Sequence, residues 1–453
     1  MSLPRYPEYK DSGVAWLGEV PSHWKSARLR WLATKYAGGT PDKQNQSFWT
    51  DGEIPWINSG SVNDSIITEP SAYITQEAFE KSSAKWIPSG ALVMALAGQG
   101  KTKGMVAQLG LKTTCNQSMA AILPNKNIQA RFLYWWLSSN YENIRNLAGG
   151  DLRDGLNLEL LGNIQCPLLP VDEQTAIATF LDRETGKIDA LILEQETLIA
   201  LLKEKRQALI SHAVTKGLNS NAPMKNSGIE WLGEVPAHWE VKRLRFVAEL
   251  NPSKSEVAKL DKDTQVSFLP MEAVGDDGSL NLDRTRSIGE VEIGYTYFRE
   301  GDVTIAKITP CFENGKGAVM RGLVGGIGFG TTELIVTRPF ETESTDEYLH
   351  WLFVSTPFRK LGEAAMYGAG GQKRMPDDFV RNFAVAFPDV KEQTTIANFL
   401  DTETAKLNAL TTEANQAIII LKERRSALIS AAVTGQIDVR HLDDSQAIRD
   451  YAL

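Results

Sequence analysis

An internal repeat constrains this chain more than any other feature. Residues 10–33 read KDSGVAWLGEVPSHWKSARLRWLA and residues 225–248 read KNSGIEWLGEVPAHWEVKRLRFVA, identical at 15 of 24 positions on an offset of 215 (10 to 225). A second pair, EQTAIATFLDRETGK from Glu173 and EQTTIANFLDTETAK from Glu392, follows on an offset of 219 (173 to 392), and Ala208-Leu-Ile-Ser211 recurs as Ala427-Leu-Ile-Ser430 on that same offset. The chain reads as a tandem duplication, so whatever it folds into is built twice.

The repeated frames bracket middles that differ strongly. The segmentation is a first frame segment at 1–33, a variable domain at 34–169, a helix at 170–217, a linker with the second frame segment at 218–248, a second variable domain at 249–387, a second helix at 388–435 and a tail at 436–453. The linker Asn219-Ser-Asn-Ala-Pro223 is polar and turn-forming, and the tail is charged, with little to order it. Inside the middles a faint common layout survives. Ser89-Gly-Ala-Leu-Val-Met94 and Glu300-Gly-Asp-Val-Thr-Ile305 each read as a turn followed by a buried strand. Each runs into a glycine- and lysine-bearing loop, GQGKTKG at 98–104 and ENGKG at 313–317, and Phe132–Leu137 matches Tyr348–Phe353 as an apolar helix. One fold carrying two different surfaces is the expectation.

After Glu173 and Glu392 the apolar residues fall at helical spacing. They are Ile177, Leu181, Ile188, Leu191, Leu198, Leu202 and Leu209, then Ile396, Leu400, Leu407, Leu410, Ala417, Leu421 and Leu428. Steps of three, four and seven without proline describe a coiled-coil seam, with Gly217 and Gly435 as stops. About 45 residues make a rod of roughly 65 Å. The expected fold class is α/β (α+β): two globular domains joined by two long antiparallel coiled-coil helices in a pseudo-two-fold duplication. The alternative is that each helix packs only on its own domain.

Composition narrows the class. The hydrophobic fraction of 42% and charged fraction of 23% are those of a soluble globular protein. The longest apolar run, near Ile418–Leu421, is far short of a membrane span, and the first residues, MSLPRYPEYKDSG, lack a secretory core. Cys115, Cys166 and Cys311 are scattered, and the five histidines form no metal-binding spacing, so a reducing cytoplasm, no disulfide frame and no metal are expected. A net charge of −8 does not exclude a nucleic-acid partner, because local basic patches and not the whole-chain sum decide binding.

The WLGEVPxHW frame, Gly52-Glu-Ile-Pro-Trp56, the loop PCFENGKG at 310–317 and the PxxEQxxIxxFLDxxT helix start together resemble the DNA-specificity subunits of type I restriction-modification systems, over nearly the whole chain and in the expected order. The resemblance implies that the variable middles are target recognition domains and the repeated helices conserved spacers. It also implies a bipartite, asymmetric double-stranded DNA target, two modification methyltransferase subunits and two motor-nuclease subunits as partners. No cofactor is implied on this chain, S-adenosylmethionine and ATP with magnesium belonging to the partners. Independently, two similar modules on a spacer suit two half-sites, and two different middles suit a non-palindromic target.

Candidate contacts come from the variable middles. In the first, Gln99, Lys101, Thr102 and Lys103 could meet phosphates or base edges, as could Gln117, while Arg153 follows Gly149-Gly150. Asn116 and Ser118, beside Gln117, are possible readers too, though a strand edge explains all three nearly as well. In the second, Lys307, Asn314 and Lys316 hold the corresponding stretch, and Gln372, Lys373 and Arg374 follow Gly368-Ala-Gly-Gly371. Against each stands the plainer reading of a hairpin turn or a solvated loop. Residues 95–102 fit a loose P-loop pattern, but the residues after Gly104 read as a strand where a nucleotide site needs a helix. Trp16, His23 and Trp24, with Trp231, His238 and Trp239, could stack on bases. They sit in the repeated frame, however, and identical residues cannot tell two half-sites apart, so packing is expected. No catalytic set emerges: amino-methyltransferase motifs are absent, and Glu8-Tyr-Lys10 and Asp389-Val-Lys391 resemble a nuclease fragment only loosely. Two rivals remain, a fused enzyme whose motifs escape this reading and a coiled-coil adaptor without a DNA role.

Overall fold

A computed structural model describes residues 3–98, 101–147, 155–369 and 371–441. It divides into two compact units, one formed by Met1–Gln195 with Ala417–Leu453 and the other by Glu196–Gln416. The cut falls within the two long helices, Val171–Lys216 and Val390–Val433. Each unit therefore takes the first half of one helix and the second half of the other.

Both helices form where proline is absent and acidic residues, Asp172 and Glu173 in one and Glu392 in the other, sit in the first turn, favourably placed toward the helix dipole. Both stop at a glycine in the left-handed region, Gly217 (φ 76°) and Gly435 (φ 73°). Those glycines are also required by space. A Cβ on Gly435 would lie 2.4 Å from Cδ of Pro21, and one on Gly217 would lie 3.2 Å from the Trp239 ring.

In unit 1 the variable domain is built on a five-stranded sheet, ordered 33–37, 119–124, 92–95, 106–109, 66–67, with a three-stranded sheet ordered 114–115, 54–57, 72–74 beside it. In unit 2 two four-stranded sheets take these places, ordered 248–250, 334–339, 303–306, 317–319 and 285–287, 265–269, 327–330, 296–299. The two expected turn-then-strand segments are the interior strands Leu92–Ala95 and Val303–Ala306, every residue buried, apolar throughout but for Thr304, whose hydroxyl donates to Ala318 O. The matched helices are Ala130–Ser139 and Asp346–Val354, N-capped by the Gln129 and Thr345 side chains.

The frame is a hairpin followed by a buried tryptophan, 9–11 with 19–21 and then Trp24, and 224–226 with 234–236 and then Trp239; both rings are 0% exposed. Its role becomes clear at the helix starts. Glu173 is buried and accepts from Trp24 Nε1 (2.9 Å) and from the Tyr6 hydroxyl (2.6 Å), with His23 Nε2 2.9 Å away. Burial, then the bond to this carboxylate, pushes the Tyr6 phenol far above its usual range, so it remains a donor. In unit 2, Glu392 accepts from Trp239 Nε1 (3.2 Å), with His238 at 2.8 Å. The neighbouring glutamines work the other side. Gln174 accepts from the Gln129 amide and donates to the Asn127 and Leu169 carbonyls; Gln393 accepts from Ser344 and Thr345 and donates to Glu343 and Pro388. About two turns further along each helix lies the aspartate of the FLD triplet, where Asp182 accepts from Trp135 Nε1 (2.9 Å) and Asp401 from Trp351 Nε1 (3.0 Å). The repeated motif thus joins frame, variable domain and helix in each unit.

The helix ends complete the cores. Ile177 and Leu181 pack in one cluster with Ile429 and Val433 in unit 1, and Ile210 and Val214 with Ile396 and Leu400 in unit 2. Arg425 forms a two-point ion pair with Asp189 (2.8 and 3.2 Å) within unit 1. The expected seam is not buried throughout, since Leu191, Leu198 and Leu410 are 44%, 41% and 47% exposed. The leucines near the helix ends are covered by their own unit's domain, a source of burial that heptad spacing alone does not reveal. Among the described residues no helix is long and apolar enough to cross a membrane.

Candidate nucleic-acid interface

In each unit the candidate loops converge on one point of the central hairpin. Strands 92–95 and 106–109 are antiparallel neighbours, and so are 303–306 and 317–319, so residues 96–105 and 307–316 are hairpin connections. A strand follows the glycine-rich loop of unit 1, not a helix, so the P-loop geometry is absent there. The turn closes the same way in both units. Gly104 and Gly315 each have φ 88°; Ala95 N–H donates to Met105 O (3.0 Å) and Ala306 N–H to Lys316 O (2.9 Å). An arginine from the next helical segment braces each loop, Arg145 on Lys103 O (3.4 Å) and Arg359 on Glu313 O.

This pairing sharpens the sequence alignment of the two loops. Lys316 stands where unit 1 has Met105, and Asn314 where it has Lys103. Lys316 turns inward: its Nζ donates to the Met271 and Val274 carbonyls at 3.1 and 2.9 Å, closing a short helical turn. Lys103 is 3% exposed, a correction to its expected place at an open loop tip. The chain reverses at Gly104 and enters a buried strand, which draws the residue just before it into the domain. Lys101 and Asn314 are exposed and Thr102 is half-buried. Gln99 and Arg153 lie outside the described residues.

Two further segments reach the same point. Leu96 N–H donates to Ser118 O (2.8 Å) and Leu156 N–H to Leu96 O (2.7 Å); in unit 2, Lys307 N–H donates to Glu333 O (2.8 Å) and Met375 N–H to Lys307 O (2.8 Å). The hairpin loop, the residues at 156 or 375 and the corner at 116–118 or 331–333 are therefore tied together by equivalent backbone bonds, while the glycine-rich segment of unit 1 lies outside the described residues. The corner is not a strand edge. It is the crossing from strand 114–115 of one sheet to strand 119–124 of another, repeated as 327–330 to 334–339. Gln117 is exposed there and its Oε1 accepts from the Thr40 hydroxyl.

In unit 2, Gln372 and Lys373 are exposed, and Lys373 is anchored by backbone bonds to Thr309. Arg374 forks onto Glu333 with three contacts of 2.6 to 3.1 Å, and those bonds hold the Glu333 carboxyl below its ordinary range, with Lys307 adding to the effect. Arg374 is thus already engaged, whereas Gln372, Lys373 and Asn314 present free edges of the loops. Trp24 and His23, with Trp239 and His238, are packing groups, as their bonds to Glu173 and Glu392 show.

What sequence inspection passed over is a polar hollow beside the unit 1 corner, lined by Lys43, Trp49, Trp56, Asn58, Ser59 and Asn116. Its lining comes from residues 43–59 and, far along the chain, from Asn116. The one signal was the amide pair Asn116-Gln117.

Comparison with known proteins follows the same lines. Residues 21–202 match the type I restriction modification DNA specificity domain. The chain is 42% identical over 165 residues to the type I restriction enzyme EcoEI specificity subunit of Escherichia coli, covering 36% of this chain and 27% of that relative. It is 21% identical over 430 residues to the EcoKI specificity subunit of Escherichia coli strain K12, covering 93% and 90%. The stronger of these two similarities therefore spans about a quarter of the relative's length. The fold is also that of the HsdS subunit from Thermoanaerobacter tengcongensis, with a TM-score of 0.54 at 16% identity over 92% of this chain and 98% of that one. With the specificity domain matched over residues 21–202 and the fold extending through the second repeat, the chain is similar to the type I restriction-modification specificity subunits.

Proposed function

We propose that the chain reads a bipartite, asymmetric DNA target, one half-site per unit, and positions two methyltransferase and two motor-nuclease subunits on it in the cytoplasm. The observation that carries this reading is the three-segment cluster formed twice. The backbone is equivalent in the two units while the side chains differ, as Lys101, Thr102 and Gln117 in one and Asn314, Gln372 and Lys373 in the other. Lysines at loop tips suit phosphates, and amides suit base edges. The chain itself performs no chemistry in this reading; S-adenosylmethionine and ATP with magnesium are bound by the partners. The two long helices, paired antiparallel as the Asp189–Arg425 bond supports, hold the spacing between half-sites. A repeated frame offers two equivalent docking surfaces for two methyltransferases.

The test is exchange of residues 34–169 for the equivalent segment of a relative, followed by mapping of modified sites in the genome of a host carrying the hybrid and its partners. One half-site should change, while the other half-site and the gap between them remain. A folded, active hybrid that changes both half-sites, neither, or the gap refutes the assignment.

A further inference from the structure

The corner of unit 1 carries a more specific assignment, which rests on the DNA-reading function above. The backbone of this corner is the same in both units. Asn116 N–H donates to Ile57 O (3.0 Å) and Met119 N–H to Asn116 O (3.2 Å); Thr331 N–H donates to Leu269 O and Leu334 N–H to Thr331 O (both 3.3 Å). The side chains on it are Asn-Gln-Ser in one unit and Thr-Thr-Glu in the other. A rigid position whose backbone repeats while its chemistry changes is what two readers of different sequences need.

The unit 1 corner is held rigidly. Gly39 N–H donates to Cys115 O (2.8 Å), and the chain passes so close that a Cβ on Gly38 would lie 2.1 Å from Cys115 O and 2.4 Å from Asn116 O. Beside it opens the hollow of about 530 Å³, walled by Trp49 and Trp56. Both indole N–H groups are spent inside the domain, on Asp42 O and Gly39 O at 3.0 Å, so the rings offer the hollow apolar surface.

Accounting for the three amides singles out one. The Asn58 Oδ1 already accepts from Gly60 N–H (2.8 Å), and the Gln117 Oε1 from Thr40. Asn116 lines the hollow half-buried, and its Oδ1 has no hydrogen-bond partner. Of the three, Asn116 alone keeps its acceptor uncommitted. That oxygen is buried where it stands, so the amide must turn to present it; a carboxamide so turned matches adenine, which offers the N6 amine as donor beside the N7 acceptor, whereas guanine offers two acceptors on the same edge. The thymine methyl of that pair suits an indole wall. Turning the terminal amide about its soft torsion brings its oxygen to the ligand. We propose that Asn116 reads an adenine·thymine pair in the half-site of unit 1, with Asn58 and Gln117 supplying flanking donors. Unit 2 has no amide at this corner, and its Glu333 is bound by Arg374.

The test uses the full chain in its host's modification complex, selecting duplexes from a random library and sequencing them. The wild type should require adenine·thymine at one position of the half-site assigned to residues 34–169. Asn116→Ala should reduce that preference by roughly 5- to 150-fold, leaving the other half-site intact, which also reports a folded chain. Asn116→Asp should shift the preference toward cytosine, whose N4 amine suits a carboxylate. Unchanged discrimination at every position in Asn116→Ala, with both half-sites still bound, overturns the assignment and leaves the general reading standing. A wild-type complex that selects no sequence overturns both.

Discussion

The two units share their hydrogen-bond junctions and differ in what surrounds them. At the helix start, Glu173 has three donors about it in unit 1 and is 4% exposed, whereas Glu392 has two and its side chain is 30% exposed. The missing donor is Tyr6, whose place on the offset of 215 is Asn221. On the apolar helix, Tyr134 of unit 1 corresponds to His350 of unit 2, each preceding a tryptophan that donates to the FLD aspartate. On the long helices, Asp189 pairs with Arg425, whereas the matching residues of unit 2 are Asn408 and Arg206. Arg425 and Arg206 lie over equivalent tryptophans at 5.9 and 5.8 Å, yet Arg206 Nε is buried with no partner. Duplication has kept the contacts that define the fold and relaxed those that only add stability. Unit 2 should be the weaker half.

Removing the shared glutamate should show this most strongly. Glu173→Ala leaves buried donors facing nothing and should destabilise unit 1 by about 3–5 kcal/mol, whereas Glu392→Ala should cost unit 2 about 1–2 kcal/mol. Hydrogen exchange read separately on the two units measures both, and equal losses would break the comparison.

Acid should act next, through a histidine that only unit 2 carries. Burial, aided by Arg206, lowers the His350 pKa to about 4, from an ordinary 6.5. Between those values the unfolded chain binds the proton and the folded one does not, so stability is full above pH 6.5 and falls as pH drops toward 4. The loss should be roughly 1–3 kcal/mol, trimmed by the ring's remaining contact with solvent. His350→Gln should flatten this profile in unit 2. A profile that the substitution does not alter would place the acid sensitivity elsewhere.

The smallest effect concerns Arg206. Asn408→Asp recreates the ion pair of unit 1 and should protect unit 2 by up to about 1 kcal/mol, as expected of a pair near the surface. The gain should shrink in high salt. No gain at low salt would mean that Asn408 and Arg206 do not meet as Asp189 and Arg425 do.

Much of this architecture was legible in the residues. The repeat, the two long helices with their glycine stops, the strand-then-loop segments and the paired apolar helices all follow from local pattern, because spacing and turn chemistry act over a few residues. The purpose of the frame was half legible: residues identical in two copies had to be packing, but their partners, 149 to 167 positions away at Glu173, were not deducible. The site was less legible still. Lys101, Asn314, Gln372 and Lys373 stand on exposed loops, but Lys103 and Lys316 look the same in one dimension and point inward, one drawn in beside a glycine turn and the other satisfying two carbonyls.

The sequence by itself therefore determined that the molecule is made twice, where its helices begin and end, and which stretches vary. Only the tertiary structure decided which polar side chains remain free. A hydrogen bond to a distant carbonyl or carboxylate removes a lysine, arginine or amide from the surface chemistry, and such partners are set by how sheets cross and loops meet. Asn116 is distinguished from Asn58 and Gln117 only by the lack of a partner for its oxygen, a property of the folded corner that spacing along the chain does not carry.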